Sequence, residues 1–220
     1  MICDFSIKHY SDCLKNAIRL GYTFFRISDI DFTTLSPKDL KIIIRHDVDH
    51  DLSLVKNFSR EETNLGICAT YYVRLHAKKY NLLSYENIKI VERLLEDGHE
   101  IGLHYEFGWS YDTHERNLQK LECEILYLRE IFGENTFKSV SPHEPSRSGD
   151  IKISEAFMKK NGLTIHSYDR RLLTNFKYIS DSSCRWREGC MHDHIRSMTT
   201  PLYILTHPVW WYQNTPSECY

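Results

Sequence analysis

From residue 41 onward, strand-like runs alternate with amphipathic helical ones, and this alternation restricts the fold more than any other feature of the chain. Strands are predicted at 41–46, "GICATYYV" (66–73), "HEIGLH" (99–104), "FKSVS" (137–141), "LTIHS" (163–167), "NFKYIS" (175–180) and "PLYILTH" (201–207). Between them, apolar residues recur at helical spacing. Leu52, Val55 and Phe58 form one set, and Ile88, Val91, Leu94 and Leu95, closed by Gly98, form a second. Leu118, Leu121, Ile125 and Leu128 form a third, opened by Asp112 with Glu115 in capping-box positions and closed by Gly133. A fourth runs through Ile153, Ala156 and Phe157 to Asn161-Gly162. Helical crossovers between strands build parallel pairing, so the expectation is an α/β fold with a parallel sheet, doubly wound or curled into a (β/α) barrel. Residues 1–40 read as a helical extension followed by a loop: Tyr10, Leu14, Ala17 and Ile18 share a face, with Ser11 as cap and Gly21 as stop. The segment 181–200 fits this scheme least well, and "MHDHIRS" within it, with His192 and His194, reads as a solvated, charged stretch. With no repeat or linker, one domain spans 1–220, with the extension at 1–40 and the barrel at 41–210.

A chain of 220 residues, 41% hydrophobic and 26% charged, can bury one sizeable core. Its net charge of -2 lacks the basic surplus of a nucleic-acid binder. No run reaches the roughly 18–20 apolar residues of a membrane span. The start, "MICDFSIKHYSDC", has neither the basic residues nor the apolar stretch of a signal peptide, so a cytoplasmic location is expected. Cys3, Cys13, Cys68, Cys123, Cys184, Cys190 and Cys219 are odd in number and never spaced C-x-x-C, a usage that reads as reduced thiols rather than as a disulfide framework or zinc knuckle.

In parallel α/β folds, functional groups gather at the carboxyl ends of the strands. The run "IIIRHDVDHD", residues 42–51, drives a strand signal into dense ionisable chemistry. Side-chain alternation puts Asp47 and Asp49 on one side and His46, Val48 and His50 on the other. Two carboxylates so close repel, and a cation beside them relieves that repulsion. His104 offers a neutral nitrogen ligand, and such a mixed set suits zinc or another divalent first-row metal. A metal that acidifies water, next to a carboxylate that takes its proton, is carbonyl hydrolysis in outline.

In kind and order these residues resemble the motifs of the polysaccharide deacetylases of carbohydrate esterase family 4, over about residues 40–210. The resemblance implies a distorted (β/α) barrel of about seven parallel strands. "HDVD" resembles the first motif, with Asp47 in the place of the catalytic base and Asp49 in that of a metal ligand. "GHEIGLH", 98–104, resembles the run into the second and makes His104 a ligand. "YILTHP", 203–208, resembles the last and makes His207 the acid that protonates the leaving amine. The chain departs from the family in two places. A second ligand histidine follows the first by about four or five residues in the family, where this chain has Gly108 and Trp109. The third motif's arginine is missing from "SVSPHEP". His143 is the first choice for the replacement ligand, since it restores an Asp-His-His set, and Glu106 is the alternative. The implied cofactor is one divalent metal, zinc.

The implied activity is removal of an N-acyl group, first of all N-acetyl, from an amino sugar or sugar-containing precursor in surface glycan biosynthesis. A backbone N–H near His143 is expected to steady the oxyanion, and Asp169 is a candidate for orienting His207. Trp210, with Trp211 and Tyr212, either stacks on a sugar or closes the barrel. Two other readings stand beside this one. The missing second histidine favours a metal-free sugar-binding or assembly protein on the same fold. "RHDVDHD" and "MHDH" suggest a metal-dependent phosphohydrolase, against which the strand leading into Asp47 argues.

Overall fold

The computed structural model describes residues 3–107, 113–145 and 153–219. Its strands are β1 (Thr23–Phe25), β2 (Lys41–Val48), β3 (Thr70–Val73), β4 (Glu100–Tyr105), β5 (Ser139–Pro142), β6 (Ile165–His166), β7 (Lys177–Ser180) and β8 (Leu202–Thr206). The helices are α1 (Ile7–Arg19), α2 (Val55–Asn64), α3 (Tyr85–Glu96), α4 (His114–Phe132), α5 (Glu155–Lys160), α6 (Arg170–Asn175) and α7 (Met191–Arg196). Every strand pairing is parallel, in the order β6-β5-β4-β3-β2-β8-β7, with β1 beside the first half of β2. The two ends of this path, β6 and β7, do not pair, so the curled sheet is an open, distorted barrel. Side chains bridge the gap: the Tyr168 ring, just past β6, lies 6.4 Å from that of Tyr178 on β7, and the Tyr203 hydroxyl donates to Ser167 O.

β2 is buried along almost its whole length because both of its faces are covered. Ile42, Ile44 and Val48 enter the main core between sheet and helices, while Ile43 enters a second core inside the barrel with Tyr72, Ile165 and Tyr203. On β4, a Cβ at Gly102 would sit 2.4 Å from the Tyr72 ring, so only glycine fits under that tyrosine. Among the described residues, no helix is long and apolar enough to cross a membrane.

The first forty residues are more than a helix and a loop. β1 joins the sheet through Phe24 opposite Ile42, and Ile27 then plugs the barrel interior with the partly buried Phe25, Ile30, Phe32 and Leu35. Ser6, not Ser11, caps α1 by accepting from His9 N–H; Ser11 lies within the helix and donates to Glu61. Thr113 caps α4, and Asp112 lies outside the described residues. The weakly patterned 181–200 segment supplies α7, which packs against α1, and His192 there is buried rather than solvated because Met191 and Ile195 draw its helix onto the core.

On the outer face of β2, His46 places Nε2 2.7 Å from Glu62 of α2 and Nδ1 2.6 Å from Thr206 of β8. The hydroxyls of Tyr10 and Tyr71 also donate to Glu62, which ties α1, α2, β2 and β3 together. Burial works against ionisation of this carboxyl, yet His46, His99 and the Tyr10 hydroxyl outweigh it and hold Glu62 down at about 2. A depressed carboxyl stabilises the fold above its ordinary value of 4.5, and that stability is lost as pH falls toward 2. Glu62→Gln is therefore expected to cost roughly 3–5 kcal/mol at neutral pH and to flatten the fall of Tm with acid between about pH 5 and 2. Thermal melts across that window check it; an unchanged acid slope in the variant contradicts the assignment.

Candidate active site

Asp47 of β2, Asp49 in the following loop, His104 of β4, His143 just past β5 and His207 just past β8 line one cavity of about 500 Å³ at the carboxyl end of the barrel. Parallel strands all end on the same rim, which is why residues so far apart in sequence meet there.

The floor of the cavity holds a feature that sequence reasoning missed. Arg45 and Asp47 lie two apart on β2 and both face inward. The fully buried guanidinium grips the carboxylate through Nε at 2.7 Å and Nη2 at 2.6 Å, and donates further to Tyr203 Oη at 3.1 Å and Ser141 Oγ at 2.8 Å. The rings of Tyr72 and Tyr168 flank it at 5.3 and 4.9 Å. Burial opposes ionisation of Asp47, and the charge of Arg45 overcomes it and holds the carboxyl below its usual range. The available signal was an arginine inside a buried strand, which demands a counter-charge on its own face.

Above this pair, Asp49 Oδ1 is buried without a hydrogen-bond partner. His104 Nδ1 lies 3.0 Å from Ser141 O, which only accepts, so Nδ1 carries the hydrogen. In the neutral ring, the Nε2 lone pair then faces Asp49 Oδ1 at 3.3 Å and Asp47 Oδ2 at 3.5 Å. His143 Nδ1 likewise donates to Glu106 Oε1 at 2.9 Å and turns Nε2 toward Asp49 Oδ1 at 3.6 Å. Acceptors facing one another without protons repel, and a cation removes the conflict. Two ligand atoms on a tetrahedral zinc at ~2.0–2.1 Å are roughly 3.3 Å apart, so the spacing around Asp49 Oδ1 fits such an ion. A ligand histidine whose other nitrogen donates to a carbonyl or carboxylate is the usual second layer of a metal site. By its donor chemistry, one carboxylate and two imidazoles, the set fits a divalent borderline metal.

Glu106 stands behind His143 and also accepts from Arg74, whose other nitrogen reaches Asp49 O at 3.0 Å. Although burial raises it, the His143 hydrogen bond and Arg74 hold Glu106 below the usual carboxylate range. The backbone N–H of His143 itself is committed to Tyr105 O at 2.8 Å, which leaves the oxyanion role near His143 to another backbone N–H. Gly108 and Trp109 lie outside the described residues.

His207 faces the same space differently. Its Nδ1 lies 2.6 Å from Asp181 Oδ1, its backbone N–H donates to both Asp181 oxygens, and Nε2 lies 4.0 Å from Asp49 Oδ2. Burial pulls His207 down, but the Asp181 charge and hydrogen bond prevail and push it up to about 9. Asp169 does not orient this ring; it caps α6 through Arg171 N–H and pairs with the Arg171 guanidinium. Asp181 follows β7 directly, beside β8, and its Oδ2 also accepts from Trp211 Nε1 at 2.7 Å. Trp211 thus closes the barrel end, while Trp210 lines the cavity.

No family profile and no curated relative matches the sequence. Solved structures do match. The Streptococcus pyogenes deacetylase PplD, in complex with acetate, is 13% identical with a TM-score of 0.52, over 72% of this chain and 70% of that one. The chitin deacetylase of the fungal pathogen Colletotrichum lindemuthianum is 15% identical at a TM-score of 0.49, over 76% and 73%. A family 4 acetyl xylan esterase from Clostridium thermocellum, in complex with a cobalt ion, gives 15% and 0.49, over 80% and 76%. At this identity the match to PplD shows the fold alone: the chain shares the distorted (β/α) barrel fold of that deacetylase, the fold its motifs led one to expect.

The geometry ranks the candidate ligands. His143→Ala is expected to weaken divalent-metal affinity by far more than the roughly 10- to 100-fold expected of Glu106→Gln, which removes only support. Metal titrations of chelator-stripped variants at a single pH check this, and the reverse ranking would make Glu106 the ligand.

Proposed function

We propose that the chain is a metal-dependent carbohydrate deacetylase that removes an N-acyl group, first of all N-acetyl, from an amino sugar or sugar-containing precursor in surface glycan biosynthesis. The observation that carries this reading is the partnerless Asp49 Oδ1 with the His104 and His143 nitrogens turned on it, set between an ionised Asp47 and the Asp181-backed His207. Asp49, His104 and His143 would hold the ion, for which zinc suits the donor set. When bound, such an ion acidifies water and polarises an acyl carbonyl.

The protein's own groups divide the proton work. Arg45 keeps Asp47 charged and fixed, and the remaining lone pairs of its carboxylate accept the proton of the attacking water. An amide nitrogen leaves only once protonated, and His207 is charged at neutral pH, with Nε2–H on the cavity side. Asp181 steadies that imidazolium and fixes its ring, so the proton goes to the departing nitrogen from a set direction. Trp210 offers an apolar face at the rim for a sugar ring.

Acetate release from N-acetylated amino sugars and their short oligomers tests the proposal. Asp47→Asn is expected to lower kcat about 100- to 10,000-fold while metal content stays; near wild-type turnover would remove Asp47 as the base. Asp181→Asn takes away what raises His207, so the alkaline limb of kcat/KM should move down from near pH 9 toward the ordinary histidine value of 6.5. Protein that binds these sugars but takes up no divalent metal in the barrel and releases no acetate would favour the metal-free sugar-binding reading.

A further inference from the structure

Away from the cavity, where α1 meets α7, a second group of soft ligands comes together. Candidate ligand atoms of Cys3, His9 and Cys190 all lie within 4.8 Å of one another. His9 Nε2 is 3.4 Å from Cys190 Sγ and 3.6 Å from Cys13 Sγ. We propose that Cys3, His9 and Cys190 form a structural zinc site that fastens the N-terminal segment and α1 to α7, with the Cys13 thiol, one turn along α1 from His9, turning in as the fourth ligand when the ion binds.

The spacing supports this directly. A tetrahedral zinc with Zn–S of about 2.3 Å and Zn–N of about 2.0–2.1 Å sets sulfur and nitrogen roughly 3.5 Å apart, close to both distances from His9. His9 and Cys13 are four apart on one face of α1, and Cys190 precedes α7 with no capping hydrogen bond from its side chain. His9, Cys13 and Cys190 are buried, and the buried His192 covers the group with its ring 5.1 Å from that of His9. A cleft of about 320 Å³ between the two helices, lined in part by His9, Asp12, Cys13 and His192, gives an ion a way in. Three thiols and an imidazole suit zinc, and they separate this site from the carboxylate-and-histidine set in the barrel.

The thiols are unequal without an ion. Hydrogen bonds from Cys190 and His9 bring Cys3 down to about 5 against its burial, while burial pushes Cys13 up to about 12 and the contact with Cys3 raises Cys190. Ion binding releases the remaining thiol protons to solvent, so affinity should rise with pH. The cysteines read as plain reduced thiols in the sequence because the group is assembled from positions 3, 9, 13 and 190, with no C-x-x-C between them.

The test is cobalt(II) reconstitution of the chelator-stripped, full-length protein under reducing conditions, read by thiolate-to-cobalt charge-transfer absorption and by metal content. The wild type and Asp49→Ala/His104→Ala should both show the band, because the barrel site contains no sulfur. Cys3→Ser/Cys190→Ser should lose the band together with one equivalent of metal, and Cys13→Ser should lower its intensity. Cys3→Ser alone, a change before the first helix, should also lower the band and serves if the double variant does not fold. Absence of the band from the wild type, or its survival in Cys3→Ser/Cys190→Ser, overturns the proposal. A Cys3–Cys190 disulfide that persists in protein kept under reductant overturns it as well. None of these outcomes depends on the deacetylase reading.

Discussion

A fully buried arginine inside the barrel organises much of what surrounds it. Removing a guanidinium and a carboxylate from water costs several kcal/mol per ion, and only close pairing reinforced by further hydrogen bonds offsets that. Arg45 meets the requirement by drawing on the whole curl of the sheet: Asp47 from its own strand, Ser141 from β5, Tyr203 from β8, and the rings of Tyr72 and Tyr168 from β3 and the end of β6. Flattening the sheet would strip the charge of these partners. The same strand carries a second polar anchor on its other face, where His46 joins Glu62 of α2, so β2 pins both the inside of the barrel and the helical layer. The rigid carboxylate of Asp47 at the cavity floor follows from this arrangement.

The three histidines on the rim show how one residue type is set to different tasks. Each has Nδ1 fixed: His104 by a carbonyl, His143 by Glu106 and His207 by Asp181. Two of them turn Nε2 onto an acidic oxygen with no other partner, which favours a cation in place of a proton. The third is backed by a fully buried carboxylate that its own backbone N–H and an indole also hold, and it keeps its proton. Different partners on one residue type thus set a proton donor apart from candidate metal ligands.

Much of this was legible in the sequence. The strand runs stand out because strands buried on both faces need unbroken apolar residues, and the intervening helices mark their ends with glycine. Once the sheet is taken as parallel, Asp47, Asp49, His104, His143 and His207 share a rim by topology. β1 was not legible, since its three residues show too little alternation to register. Asp181 escaped because its tie to His207 comes from the pairing of β7 with β8, across 26 positions of sequence. Asp169 drew attention instead by ending a strand run, yet its side chain is spent locally on Arg171. Arg45 read as one member of a charged run, although the alternation that separated Asp47 from His46 also put Arg45 beside Asp47.

The central claim is that Asp49, His104 and His143 form a metal centre next to Asp47 and His207. Anomalous scattering from crystals grown with a divalent metal, recorded on both sides of its absorption edge, tests it most directly. The account predicts a peak within bonding distance of Asp49 Oδ1, His104 Nε2 and His143 Nε2, with Glu106 left on the far side of the His143 ring. A well-loaded crystal with no peak there, or with the ion held by Glu106 in place of His143, would contradict it.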